Sequence, residues 1–401
     1  MERKSNTFYL FLTTHSLLIG LFPFFIPVYL WNKGWSIGSI CFFISLTGLG
    51  FCLSLFIWDR LVRITSFRNI ILISFLWETL LLLTLFLESN SGVIFISGLI
   101  NGVYNCFFWV TNRLLFTQTI TSKNSGKRFG NSQLIVTIFF KLGVLLGGYL
   151  LEQVSFQAVF VISASVCILG ILLFIIQKDV TSPVLVSDSK HPIKLSERLT
   201  YKDQYHSKLM FSQDGFFLYL ESCFWIISLY TIVQKNFWEL GLVVITMIVI
   251  FSLIYILIKN IIDQLSVSLM YAVGVLLYLI SWLLRGKMDQ NLSILNLFLW
   301  LILITFFTSL FRLTLNKRFF DITKSVSSLR YIIIKSYYSQ FYLAVYFGIL
   351  GGISYLFTDS KLFFRFVYWI AALLSLLYLF YQPVKLKIDS RSMKRTEMNL
   401  H

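Results

Sequence analysis

Several charged side chains stand where the surrounding sequence belongs in hydrocarbon. The stretch FFKLGVLLGGYL, residues 139–150, places Lys141 inside an apolar run with Gly143, Gly147 and Gly148 just beyond it. Glu78 and Glu221 lie deep in other apolar runs, while Asp214 and Lys335 lie nearer the ends of theirs. A charge at the centre of a bilayer costs about 2.5–3.5 kcal/mol, so each needs a partner, water or a charged solute to offset it. Carboxyl groups at that depth are also natural proton carriers, which makes Glu221, Glu78 and Asp214 candidates for proton coupling. Glu221 is the first expected partner of Lys141 and Glu78 the second. The plainer reading is a set of permanent pairs that fix helix packing. For Asp214 and Lys335, snorkelling or a pair that closes a gate competes equally.

Uncharged polar residues fall on helical stripes. At 100° per residue, Gly98, Asn101, Asn105, Trp109 and Asn112 share an arc of about 80°. Thr305, Thr308, Ser309, Arg312 and Asn316 share an arc of about 100° on a second helix. Asp214, Glu221, Trp225 and Ser228 occupy one face of a third, and Lys335, Tyr338, Ser339, Tyr342 and Tyr346 one face of a fourth. For any single Ser or Thr, hydrogen bonding between packed helices is explanation enough. Four such stripes together predict the walls of one wet cavity suited to an organic solute rather than a bare ion. The expected solute contacts are Asn101, Asn105, Trp109, Asn112, Lys141, Trp225, Thr308, Arg312, Tyr338 and Tyr342. Lys141 is expected to point into this cavity, on the side opposite Gly143 and Gly147, which let a neighbouring helix approach.

The elements that carry these residues follow from composition. Of 401 residues, 57% are hydrophobic and only 13% charged, against roughly a quarter charged in soluble domains. Apolar runs of about 20 residues recur along the chain, and none alternates as a barrel strand would. The chain is therefore expected to be an all-α integral membrane protein. Its expected spans are 8–31, 35–57, 69–87, 92–118, 131–151, 155–177, 209–232, 236–258, 264–284, 291–313, 331–357 and 361–382. Residues 178–208 form the one long polar segment, read as a solvated cytoplasmic connector. It divides an N-terminal bundle, 1–177, from a C-terminal bundle, 209–382, with a basic tail at 383–401. Pro23 and Pro27 in PFFIP predict a kink in the outer half of the first span.

The net charge of +16 would suit nucleic acid, but the basic residues sit in alternate loops. Of 34 Lys and Arg, only Lys33, Lys235, Arg285, Lys287, Lys361 and Arg365 fall in one set of loops, and Lys141 and Lys335 within spans. By the positive-inside rule both termini are cytoplasmic, which requires an even number of spans. The expected location is a bacterial inner (plasma) membrane. Cys41, Cys52, Cys106, Cys167 and Cys223 all lie in apolar runs without metal-ligand spacing, and only His15 of the four histidines lies in a span. No metal and no cofactor are expected. No nucleophile–base pair or phosphate loop points to an enzyme.

The halves echo each other: LGVLLGGYLLEQ in span five is similar to FGILGGISYLF in span eleven, as in duplicated transporter architectures. With the 6+6 layout, two local motifs make the sequence resemble the major facilitator superfamily over essentially its whole length. The family's loop between spans two and three reads Gly-x-x-x-Asp-Arg/Lys-x-Gly-Arg/Lys. In LFIWDRLVR, Asp59, Arg60 and Arg63 match, while Leu55 and Val62 replace the glycines. The resemblance implies a gating role for Asp59, Arg60 and Arg63, stabilising the outward-facing state. GVLLGG, residues 143–148, is similar to the Gly-Pro-x-x-Gly-Gly motif of the family's proton-driven drug exporters, with Val144 in place of proline.

The resemblance thus implies two six-helix pseudo-symmetric bundles, alternating access and a monomer. The expected function is proton-coupled export of a small amphipathic organic compound, drug-, metabolite- or toxin-like, across the lipid bilayer. An uptake or exchange carrier for an anionic solute, using Lys141, Arg113 and Arg312, is the alternative. A membrane receptor or assembly protein without flux is the reading from another class, and the polar stripes argue against it.

Overall fold

The computed structural model describes residues 2–87, 91–119, 125–176, 191–258, 267–288, 294–325 and 328–381. Among them every regular element is helical. Before the connector run α1 (Glu2–Leu21), α2 (Ile26–Asn32), α3 (Ile37–Ile64), α4 (Phe67–Phe86), α5 (Ser91–Thr119), α6 (Ser125–Gln153) and α7 (Phe156–Ile176). The short α8 (Leu195–Leu199) follows, then α9 (Ser207–Tyr219), α10 (Trp225–Ile232), α11 (Phe237–Ile258), α12 (Val267–Lys287), α13 (Ile294–Ser325), α14 (Ser328–Ser354) and α15 (Ser360–Ser375).

Nine stretches among the described residues are long and apolar enough to cross a bilayer. α6, α11 and α14 occupy the positions of the other three expected spans. In α14 the Tyr, Ser and Gln residues that face inward dilute the apolar residues, which is why a purely hydropathic criterion passes over it. Two helices are interrupted where the chain turns inward. Pro23–Phe25 form a 3₁₀ turn between α1 and α2, the kink expected from the prolines. Leu220–Phe224 form a π turn between α9 and α10, a distortion often found at functional sites.

Small residues set the helix contacts. A Cβ on Gly143 of α6 would meet the backbone of Gly20 at 2.9 Å, and one on Gly20 would meet Val144 N at 2.8 Å. Gly143 and Gly147 therefore serve the close approach of α1, as their spacing suggested, whereas Gly148 faces Phe237 of α11. Gly48 plays the same part between α3 and α14, where an added Cβ would lie 2.9 Å from Ala344 N. The Ser45 hydroxyl donates to Ala344 O at 2.8 Å along the same seam.

The connector departs from expectation. Residues 177–190 and the tail lie outside the described residues, but the stretch from His191 onward, though largely exposed, is anchored to the helices through buried Ile193 and Arg198. Arg198 is 1% exposed and donates through Nη2 to Asp59 Oδ2 at 3.1 Å. The Ile193 N–H donates to the same oxygen at 3.0 Å, and Arg63 grips Asp59 Oδ1 at 2.8 Å. The Arg198 guanidinium lies 4.2 Å from the centre of the Phe56 ring and 5.8 Å from that of Tyr337, between α3 and α14. The Tyr338 hydroxyl donates to the carbonyls of Arg198 and Leu199 at 2.9 and 3.0 Å. Composition read this stretch as polar; what anchors it is the Asp59 carboxylate, whose second oxygen takes Arg198 and the Ile193 N–H while Arg63 holds the first. Of the loop motif, Asp59 and Arg63 take part, whereas Arg60 is exposed.

Arg198 is one of two cations on Asp59, so its removal leaves Arg63 as counter-charge and costs less than the roughly 3–5 kcal/mol of a buried charge left wholly unpaired. Arg198→Met is therefore expected to lower the melting temperature of the purified protein. The double variant Arg198→Met/Asp59→Asn should lose clearly less than the sum of the single variants. Strictly additive losses would refute the clasp.

Candidate functional site

The polar stripe of α5 is a continuous hydrogen-bonded ladder. Its members recur every four residues, so each side chain stands one turn above the last. Asn101 Nδ2 donates to Thr47 Oγ1 of α3 at 3.2 Å, and Asn105 Nδ2 donates to Asn101 Oδ1 at 2.9 Å. Trp109 Nε1 then donates to Asn105 Oδ1 at 3.0 Å. This ladder forms one wall of a cavity of about 330 Å³. Phe24, Phe43, Phe51, Tyr104 and Phe140 add apolar surface, and Arg113 lies on the wall one turn beyond Trp109. The second half of the chain contributes Leu218, Tyr219, Ser222, Cys223 and Gln340. Tyr219, Ser222 and Cys223 reach the wall at and beside the π turn.

Beside the cavity lies an ion-pair network. Asp214 of α9 is 3.1 Å from Lys335 Nζ of α14 and 3.1 Å from Arg312 Nη1 of α13. Arg312 also reaches Glu221, 3.1 Å from Nη2 to Oε1, and Tyr278 of α12 donates its hydroxyl proton to that same carboxylate oxygen. The Lys335 ammonium lies 4.2 Å from the centre of the Phe319 ring. Four of the sequence-derived charged candidates thus meet in one place.

A second buried pair occupies the N-terminal half. His15 Nδ1 lies 3.1 Å from Glu78 Oε2, and the two side chains are 0% and 1% exposed. The imidazole stacks on Phe75 at 4.1 Å and packs against Phe108 at 4.3 Å and Phe11 at 4.6 Å. Tyr104, whose ring stacks 6.2 Å from the His15 ring, lines the cavity. The signal for this pair was present as one mid-span histidine and one mid-span glutamate, but nothing local to either says that α1 and α4 place them together.

Other expectations are corrected. Lys141 is half-exposed, is not among the residues that line the cavity, and meets neither Glu221 nor Glu78, each of which is engaged elsewhere. The helical arc placed Lys141 opposite the glycines correctly, but α6 turns that opposite side away from the cavity. Thr308 and Trp225 also lie off the cavity. They surround Arg285, which the loop count had placed outside and which is only 4% exposed. Arg285 donates to Thr308 Oγ1 at 3.0 Å and Ser281 Oγ at 2.9 Å, and its guanidinium lies 4.4 and 5.1 Å from the ring centres of Trp282 and Trp225. Tyr338 holds the connector, and Tyr342 stacks between Tyr338 and Tyr346 at 6.3 and 5.9 Å. Arg312 serves the ion-pair network, and Asn112 is half-buried one turn past Phe108, outside the lining. Asn101, Asn105 and Trp109 are the solute-contact candidates that do line the cavity. Among the described residues no group of His, Cys, Asp and Glu is arranged to hold a metal ion.

Comparison with known proteins adds the following. The family model of the Major Facilitator Superfamily matches residues 8–333. The fold is similar to that of a mutant of the nucleoside transporter NupG, with a TM-score of 0.73 and 13% identity over 94% of this chain and 98% of that one. A second NupG structure gives a TM-score of 0.69 and 14% identity over 95% of this chain and 98% of the other. No curated protein sequence matches the chain significantly.

The ladder and Lys141 make opposite predictions. Asn101→Leu removes the side-chain bonds to Thr47 Oγ1 and from Asn105 Nδ2, leaving Thr47 its bond to Phe43 O and Asn105 its bond to the Asn101 carbonyl, a net loss of about 0.5–1.5 kcal/mol per bond that should lower the melting temperature. Lys141→Ala removes a half-exposed side chain with no hydrogen-bond or ion-pair partner among the described residues and should change stability by no more than about 0.5 kcal/mol. A larger loss from Lys141→Ala than from Asn101→Leu would overturn this assignment.

Proposed function

The chain belongs to the major facilitator superfamily, and on that premise we propose that it is a proton-coupled secondary transporter exporting a small amphipathic organic compound. The observation that carries this reading is the cavity between helices of the two halves, walled by aromatic rings and a hydrogen-bonded amide ladder. Its volume of about 330 Å³ suits one small organic molecule. Trp109, Tyr104 and Tyr219 offer flat apolar faces, while Asn101, Asn105 and Gln340 offer polar groups that orient the solute. The solved nucleoside transporters of similar fold accord with a solute that has a planar ring and polar groups.

Alternating access then follows from rocking of residues 1–177 against 209–382 about this site. The seam of α3 and α14 and its clasp, Asp59 with Arg198, must loosen for one end to open. Both termini stand on the cytoplasmic side in this reading, and GVLLGG supports export.

Of the three carboxyl candidates, Glu78 best fits the proton carrier. Asp214 and Glu221 are held by cations and act as fixed members of the network. Glu78 pairs with His15 and with no Lys or Arg among the described residues, so no permanent cation holds it charged. Tyr104 stacks beside His15 and lines the cavity, so solute binding can bias the proton site through one ring.

In proteoliposomes, a pH gradient should drive solute accumulation by the unaltered protein. Glu78→Gln should abolish that accumulation while leaving solute exchange at zero gradient within a few-fold. Gradient-driven transport that persists in Glu78→Gln would remove Glu78 from the coupling role. If it is lost instead in Glu221→Gln, coupling moves to the ion-pair network.

A further inference from the structure

The ion-pair network beside the cavity is internally balanced. Asp214 and Glu221 carry two negative charges, and Lys335 and Arg312 carry the two positive charges that contact them. Arg113 stands apart from this balance. It projects from α5 onto the cavity wall, is half-buried, and forms no ion pair among the described residues. Its contact with protein is one long hydrogen bond, 3.5 Å from Nη1 to Ser336 Oγ. Asp214 is within electrostatic reach, but its carboxylate is already shared by Lys335 and Arg312.

Among the described residues Arg113 is also the one with a charged side chain in the lining; the others are apolar, aromatic, hydroxyl, thiol or amide. A cation held in a largely apolar cavity carries a desolvation cost that no carboxylate among the described residues offsets by direct pairing with Arg113. Its planar fork of donors matches the oxygens of a carboxylate, sulfonate or phosphate. Aromatic faces lie one turn away at Trp109 and across the cavity at Tyr219, and Gln340 Oε1, buried without a hydrogen-bond partner, can accept from a donor on the solute.

We infer that the solute is an organic anion, with one oxyanion group bound by Arg113 and a planar body held between the aromatic walls. This rests on the transport reading above and narrows it to one substrate class. An uncharged or cationic solute of the same shape would leave the guanidinium desolvated and unpaired, and would bind more weakly for that reason.

The test is titration calorimetry on the full-length protein in detergent with three probes of one shape: 2-naphthoate, 2-naphthylmethanol and 2-naphthylmethylammonium. The anion is expected to bind at least tenfold more tightly than the alcohol, and the ammonium least tightly. Arg113→Gln should erase the anion preference, whereas Arg113→Lys, which keeps the charge, should retain most of it. The Lys variant also guards against a loss that reflects only misfolding. The inference is overturned if the alcohol or the ammonium binds as tightly as the anion, if none of the three binds, or if Arg113→Gln keeps the preference. Because binding is read without flux, these outcomes leave the transport reading standing. That reading fails separately if a solute that binds is not moved across proteoliposome membranes.

Discussion

A charged side chain among apolar helices keeps its charge only when something replaces the water it has lost. In this chain the replacements come from remote parts of the sequence. Glu78 of α4 meets His15 of α1, Asp214 of α9 meets Lys335 of α14 and Arg312 of α13, and Asp59 of α3 meets Arg198 of the connector. Such pairs add little net stability compared with apolar residues of the same size, but breaking one is costly. Their effect is to specify which helices stand together. The arrangement of the helices, the docked connector and the cavity between the halves all depend on that matching.

Backbone approach is the second determinant, and it works with the first. Gly20 and Gly143 let α1 and α6 touch along their backbones, and Gly48 does the same for α3 and α14. Close contact brings Ser45 and Cys52 within reach of backbone carbonyls of α14, at 2.8 and 3.7 Å. Without a hydrophobic force between helices in lipid, packing and such hydrogen bonds are what hold them. The 3₁₀ and π turns occur where α1 and α9 border the cavity, so the backbone departs from regularity where it helps shape a binding surface.

The two halves divide the polar chemistry unevenly. The N-terminal half holds a buried pair packed against Phe11, Phe75 and Phe108, with Tyr104, which lines the cavity, stacked 6.2 Å from His15. The C-terminal half holds a network of four charges around Arg312 and a separate buried Arg285 between two tryptophans.

By itself the sequence determined that the chain is helical and membrane-embedded, because apolar length and scarce charge leave few other solutions. The stripe Asn101, Asn105 and Trp109 was legible because one helix sets its own angular periodicity, and so was the close approach at Gly143. Partner identity was not legible. Lys141 and Glu221 sit at matching depths, yet α6 turns Lys141 away from the cavity while Tyr278 and Arg312 hold Glu221. Likewise Arg285 reads as a loop cation and His191–Tyr205 as solvated linker, since composition does not say which neighbour folds over a segment. Periodicity fixes the face on which a residue stands; only the tertiary structure decides what that face meets, because helix rotation and pairing are set by contacts between residues far apart in the chain.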